Sequence, residues 1–134
     1  MAKIQPIYYR NRRGSQPVKD FIEKQEVTDQ VALNNQILRI EALCTPEKPD
    51  LPFPYSSSVD GPLRELRFRV GSILYRILYR RSGNLLILLH IVKKKSPKLL
   101  DTDIQTAKDR WDDFKRRMDA DPRVPPRAAG QDAP

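Results

Sequence analysis

Apolar and polar residues alternate most regularly between positions 63 and 92. In Leu63 to Val70, Leu66, Phe68 and Val70 share one face, and Glu65, Arg67 and Arg69 share the other. In Ile73 to Arg80, Ile73, Tyr75, Ile77 and Tyr79 oppose Leu74, Arg76, Leu78 and Arg80. Gly71-Ser72 and Ser82-Gly83-Asn84 supply turns, so these segments predict an antiparallel meander. Leu85 to Val92 is almost wholly apolar, the pattern of a central strand buried on both faces, with His90 near its end.

The period changes on either side of this meander. Ile4 to Arg10 predicts a short strand and Arg12-Arg13-Gly14 a basic turn. Ser15 is a candidate N-cap, with Pro17 in the first turn, and Val18, Phe21, Ile22 and Gln25 follow helical spacing. Thr28 is a candidate cap for a second helix. Its broad apolar stripe joins Val31, Leu38 and Ala42 with Leu33, Ile37, Ile40 and Cys44. Thr45-Pro46 ends that helix. Residues 45–62 contain five prolines and the three serines 56–58, which predicts a long loop, either functional or a surface excursion. A last helix starts near Asp101 or Thr102, where Thr102 and Gln105 have capping-box spacing. Its apolar face is Ile104, Ala107, Trp111, Phe114 and Met118, so Trp111 reads as core.

The expected order is β-α-α-β-β-β-α. It describes an α+β domain over residues 1–120: a twisted antiparallel sheet with helices packed on one face and the other face free for a ligand. Residues 121–134, rich in Pro, Ala and charge, predict a disordered tail. At 134 residues the chain is long enough for one domain with its own core. Cys44 is the single cysteine, which rules out an intramolecular disulfide and a cysteine-based zinc site, and its place in an apolar helical pattern suits a buried filler. The opening MAKIQPIYYRNRRG lacks the apolar segment of a signal peptide, and no run has the length of a membrane span. A cytoplasmic protein without membrane attachment is therefore expected.

Charge narrows the partners. From Arg64 to Lys98 there are ten Lys or Arg residues against one acid, Glu65, a net +9 in a chain whose total is +8. Basicity gathered in one segment suits a polyanionic partner, whether nucleic acid, a ribosome, an anionic membrane or an acidic protein, and its clustering argues against charge that merely solubilises the surface. The reagents there are Glu65, Arg67, Arg69, Arg76, Arg80, His90, Lys93, Lys94, Lys95 and Lys98, with Arg12 and Arg13 as further cations upstream. One histidine without clustered carboxylates makes no metal set, and no glycine-rich phosphate loop is present. No cofactor is expected.

One chemistry fits this set: attack of an RNA 2′-hydroxyl on its neighbouring phosphate. It needs a base for the 2′ proton, an acid for the 5′ leaving oxygen and cations for the growing phosphate charge. Histidine titrates near neutrality, so His90 could serve as acid or base. Glu65 is a second candidate base, weakened by the arginines around it. Arg67 and Arg76, on adjacent strands, could grip a phosphate with forked donors. The bland alternatives are an ordinary cross-strand ion pair at Glu65, a satisfied core histidine at His90 and a solvated turn at Lys93 to Lys95. Tyr75 and Tyr79 share an apolar face and read as core rather than base-stacking platforms; Tyr8 and Tyr9 are undecided between the two.

Glu65-Leu66-Arg67, then Tyr75-Arg76-Ile77-Leu78-Tyr79, then Leu88-Leu89-His90-Ile91-Val92-Lys93-Lys94, followed by an amphipathic helix, resembles the phage-derived HigB branch of the RelE-like toxins. The similarity runs over about residues 4–118. It implies a RelE-like fold and the toxin half of a type II toxin–antitoxin pair. It also implies an endoribonuclease that enters the ribosomal A site and cleaves mRNA without metal. The implied partners are mRNA, the ribosome and a helix-turn-helix antitoxin, through which the toxin reaches operator DNA only indirectly. Arg67, Arg76, His90, Lys93 and Lys94 correspond to the family's basic and titratable site residues. The loop before Glu65 departs from the pattern: residues 54–59 hold neither Lys nor His where relatives often do, so those RNA contacts are lost or moved to Arg12 and Arg13. The competing expectation is a catalytically weak or inactive module that binds RNA or the ribosome and acts mainly in an antitoxin-bound transcriptional repressor complex.

Overall fold

The computed structural model describes residues 3–94, 98–119 and 128. Five strands and three helices follow in the order β1 (Gln5–Tyr8), α1 (Pro17–Glu23), α2 (Val27–Leu43), β2 (Ser56–Asp60), β3 (Leu63–Val70), β4 (Ile73–Ser82), β5 (Leu85–Lys94) and α3 (Asp101–Asp119). The strands form one sheet in the order β1-β5-β4-β3-β2. The expected meander β3-β4-β5 is present, with Gly71 and Gly83 at φ 62° and 59° in its two tight turns, a conformation that costs glycine little.

Two features of the sheet differ from expectation. β1 pairs with β5 in parallel, Gln5 opposite Leu85 and Tyr8 opposite Leu88, so the sheet is mixed. The long loop also contains a fifth strand: β2 pairs antiparallel with β3, Ser56 opposite Leu66. Three serines carry no apolar alternation, so pairing rather than periodicity makes this strand. Ser56 is buried, and its hydroxyl lies 2.6 Å from the Tyr79 hydroxyl.

Helices cover both faces, which corrects the one-sided expectation. On one face α1 and α2 bury Leu66, Phe68, Tyr75, Ile77, Tyr79, Leu86, Leu88 and Ile91. On the other, α3 brings Ala107, Trp111 and Phe114 onto Ile7, Leu63, Leu78, Leu85, Ile87 and Leu89. The reason lies in β5, which is apolar on both sides and needs cover on both. α3 lies over β5, β4 and the start of β3, leaving the far ends of β3 and β4 for a ligand.

Helix details shift as well. α1 has Gln16 at its N-cap, while Asn11 Oδ1 accepts the Arg13 and Ser15 amides, both at 3.0 Å. Glu26, not Thr28, is the N-cap of α2. Leu33, Ile37, Ile40 and Cys44 are buried, whereas Val31 and Leu38 are 53% and 57% exposed and Ala42 is exposed too, so four of the seven anticipated stripe residues are core. In α3, Asp103 Oδ2 accepts the Leu100 amide at 3.3 Å, so this pair takes the capping role expected of Thr102 and Gln105. The predicted tail, 121–134, lies outside the described residues except for Ala128, which is buried and whose carbonyl accepts the Arg10 amide at 2.8 Å. No helix among the described residues is long and apolar enough to cross a membrane.

Candidate nucleic-acid interface

Strand register sets out the α3-side face in rows. Glu65 lies opposite Leu78, and Leu78 opposite His90. In the next row Arg67 lies opposite Arg76, and Arg76 opposite Val92. Arg69, Leu74 and Lys94 align after them. With about 4.8 Å between strands, Glu65 and His90 stand about 10 Å apart across β4.

A bulge decides which β5 residues join this face. Tyr79 pairs with Leu88 but Leu78 pairs with His90, leaving Leu89 as an extra residue. Leu89 packs with the α3 cluster, and His90 next to it bonds to α3 as well. Beyond the bulge alternation resumes in the opposite phase. Lys93 therefore emerges on the α1 side, where its Nζ donates to Gln25 Oε1 at 2.9 Å and stands 5.8 Å from the centre of the Tyr75 ring. The sequence grouped Lys93 with Arg76 and His90; the sheet itself separates it from them.

Glu65 is the hub of the basic cluster. Its Oε2 lies 3.4 Å from Arg76 Nη1, its Oε1 lies 3.8 Å from Arg67 Nε, and the Ser57 hydroxyl donates to Oε1 at 3.4 Å. The Glu65 and Arg76 side chains are only 8% and 7% exposed, while Arg67 is 28% exposed. Among the described residues, Arg76 Nε and Glu65 Oε2 are buried without a hydrogen-bond partner. Burial pulls the Arg76 pKa down, Glu65 opposes that shift and the Arg67 charge adds to it. The cluster carries a net positive charge with an unused donor, an arrangement that can take an oxyanion.

His90 is held by two α3 residues that the sequence did not single out. Its Nε2 lies 2.9 Å from Asp103 Oδ1, and its Nδ1 lies 3.3 Å from Arg110 Nη1, which also donates to the Leu89 carbonyl at 2.8 Å. Arginine can only donate, so Nδ1 must present its lone pair and Nε2 must carry the hydrogen given to Asp103. Asp103 is fixed in turn by the Leu100 amide on its other oxygen. A carboxylate on one ring nitrogen prepares the other to accept a proton. The one available signal for Asp103 was an acid in the first turn of a helix; nothing marked Arg110.

The other candidates disperse. Arg69 is exposed beside the cluster. Arg80 stacks on Trp111, 4.4 Å from the ring centre, and so belongs to the α3 contact. Lys94 ends β5 opposite Leu74, Lys95 lies outside the described residues, and Lys98 is exposed. Arg13 is exposed, and Arg12 Nε bonds to Asp113 Oδ1 at 3.1 Å. Asp113 also accepts from the Tyr9 hydroxyl at 2.6 Å and from Arg117 at 2.7 Å, while Arg117 donates to the Arg10 carbonyl. Burial pushes the Asp113 pKa up, but these donors outweigh burial and hold it below the ordinary value. Tyr9 is thus core, and this basic corner is a structural tie between β1 and α3. No three His, Cys, Asp or Glu residues cluster to hold a metal ion among the described residues.

No curated protein matches the chain. Residues 20–112, over two thirds of its length, match the family described as Phage derived protein Gp49-like (DUF891). That span runs from α1 into α3 and includes Glu65, Arg67, Arg76, His90, Asp103 and Arg110. The family is associated with the toxins of toxin–antitoxin systems, generally ribonucleases, which implies an antitoxin as partner. The chain belongs to this Gp49-like phage-derived family, of RelE/HigB toxin type.

Proposed function

We propose that this protein is a ribosome-dependent endoribonuclease that acts in the cytoplasm, cleaving mRNA in the A site without a metal ion and held in check by a helix-turn-helix antitoxin. The observation that carries this reading is the strand register. It gathers Arg67, Arg76 and Glu65 on one face with a histidine backed by a carboxylate. Arg76 and His90 are diagonal neighbours on paired strands, about 7 Å apart, a span that suits one phosphodiester.

In the reaction, the 2′-hydroxyl takes the place of Arg110 at His90 Nδ1 and gives up its proton there. The 2′-oxygen–phosphorus bond forms, the phosphorus–5′-oxygen bond breaks, and the departing oxygen takes a proton from water, whose hydroxide then takes the proton held by His90. Asp103 steadies the imidazolium, and Arg67 and Arg76 hold the non-bridging oxygens. Glu65 is an internal anion that keeps the two guanidiniums together until phosphate arrives, not the base.

A second reading, a non-catalytic module that binds RNA or the ribosome, is favoured by a specific observation. In the free protein Glu65 already engages both arginines, and both His90 nitrogens have partners. Primer extension on mRNA after induction without antitoxin separates the two: discrete in-frame cuts support the enzyme, and intact messages support the binder. Growth arrest should be relieved by His90→Ala or Arg76→Ala. Full toxicity of the Arg67/Arg76/His90 triple alanine variant at equal expression would remove the site assignment.

A further inference from the structure

β2 stops pairing with β3 at Ser56 opposite Leu66. Beyond that point the residues before β2 run along the open edge of β3, pinned by the Arg67 amide donating to the Tyr55 carbonyl at 2.8 Å. Between this segment, the β3 edge and α2 lies a cavity of about 320 Å³. Phe68 and Leu74, both buried, form its apolar floor, and Tyr55 stands as one wall. Arg67 and Arg69 lie at its rim beside Gln36 of α2. Being at a sheet edge, the cavity draws side chains from both faces, Phe68 from one and Arg67 from the other.

Its chemistry is selective. Tyr55 is 41% exposed and Phe53, two residues earlier, is 77% exposed, an aromatic pair presented to solvent by a short proline-rich segment. Arg67 and Arg69 line the slot, and Arg39 places its guanidinium 5.1 Å from the centre of the Tyr55 ring, so a third arginine abuts one of its lining residues. Gln36 Oε1 accepts from Arg39 at 2.9 Å, which turns the amide donors of Gln36 toward other use. A flat apolar group carrying negative charge meets both demands, and a nucleobase with its phosphate is such a group. A purely apolar peptide would leave the arginines unanswered.

We propose that this slot receives one unpaired RNA base, stacked on Tyr55, next to the phosphate gripped by Arg67. The proposal rests on the endoribonuclease reading and extends it to a base-recognition subsite. Arg67 joins the two places, since it lines the slot and lies 3.8 Å from Glu65 in the cluster. A base in the slot therefore sets its own phosphate against the arginine pair. Tyr55 lies in the stretch 54–59 that lacks Lys and His, so there the segment contributes stacking in place of charge.

The test is binding of a short 2′-O-methyl RNA, which cannot be cleaved by 2′ attack, to the purified full chain by fluorescence anisotropy. Removing the base at one position should weaken binding about 5- to 100-fold. Tyr55→Ala should cause a loss of the same size with the intact RNA and no further loss with the abasic one. Tyr55→Phe should bind as the parent does, and Arg67→Gln should weaken both RNAs. Equal loss for intact and abasic RNA in Tyr55→Ala, or no loss for either, overturns the proposal. So does a Tyr55→Ala variant that loses antitoxin binding while keeping RNA binding, which would give the slot to a protein partner. Base-dependent binding without mRNA cleavage would keep the slot and defeat the nuclease reading; cleavage without base dependence would do the reverse.

Discussion

Replacing Arg76 with Met removes the charge but keeps most of the volume. The change leaves Glu65, 8% exposed, without its nearest buried counter-charge. Breaking a buried pair on one side costs about 3–5 kcal/mol when nothing compensates. Here Arg67 at 3.8 Å and the Ser57 hydroxyl at 3.4 Å remain on Glu65, which brings the expectation to about 2–3 kcal/mol. For a domain of this size that is a fall in Tm of roughly 10 °C. Glu65→Leu alone should cost about 3 kcal/mol, because it strands Arg76, whose Nε already lacks a partner among the described residues. The double variant Glu65→Leu/Arg76→Met removes both charges and should return to within about 1 kcal/mol of the parent. Urea unfolding followed by circular dichroism gives all four corners of the cycle. A cost below about 0.5 kcal/mol for Arg76→Met would refute the reasoning. So would a double variant no more stable than the weaker single one. If the proposed nuclease reading also holds, the double variant should be folded and stable yet unable to cleave mRNA; cleavage at the parent level would take the pair out of the proposed site.

His90 is the only histidine, so nitrogen NMR reads its tautomer without assignment. The neutral ring should carry its hydrogen on Nε2, and Arg110→Met should admit the Nδ1–H form; a parent protein with Nδ1–H as its main form would contradict the clamp by Asp103 and Arg110. The buried tyrosines predict an alkaline limit. Burial, with a hydrogen bond to Asp113 or Asp29, pushes Tyr9 and Tyr75 from 10 up to about 12, and burial raises Tyr79 as well. The folded state holds these protons more tightly than the unfolded chain, so their stabilisation is complete below pH 10 and disappears as pH rises toward 12. Phenolate absorbance should then rise together with unfolding in that window; Tyr9 and Tyr75 ionising near pH 10 in folded protein would contradict the burial argument.

The meander was legible because alternation and two glycine turns are local signals, and α3 because its apolar steps of three and four are local too. What the sequence hid depends on distant partners. β2 is a strand because β3 offers an edge and Tyr79 offers a hydroxyl to Ser56, and nothing in three serines announces that. α2 follows its helical pattern, yet Val31 and Leu38 face outward, since periodicity gives a stripe but not how much of it a neighbour covers. The β5 bulge had the largest effect on the site. Strict alternation puts His90 in phase with Leu86 and Leu88 on the α1/α2 face, and Lys93 with the α3 face. One extra residue at Leu89 exchanges them. Asp103 and Arg110 reach His90 only because α3 packs over β5, a contact between distant segments that no local pattern encodes.

The same sorting reduces what the +9 segment can offer RNA. Arg64 turns to the α1/α2 side, 3.3 Å from Asp50 and within reach of the Tyr79 hydroxyl. Lys93 is bound to Gln25, Arg80 is stacked on Trp111, and Arg81 closes its turn on the Gly83 carbonyl at 2.6 Å. Among the described side chains of β3 and β4, the cations left on the α3-side face away from α3 are Arg67, Arg69 and the buried Arg76, and Arg67 and Arg76 share Glu65. Much of the basicity is therefore spent inside the fold, and long-range attraction alone would hold RNA weakly. A phosphate gripped by this pair would have to displace Glu65 from a buried Arg76 and a part-exposed Arg67, an exchange that gains little unless other contacts hold the nucleotide in place. Such a site discriminates by construction. If the proposed slot takes a base, the site would favour a phosphate whose own base is seated beside Arg67 over anions that bring charge alone.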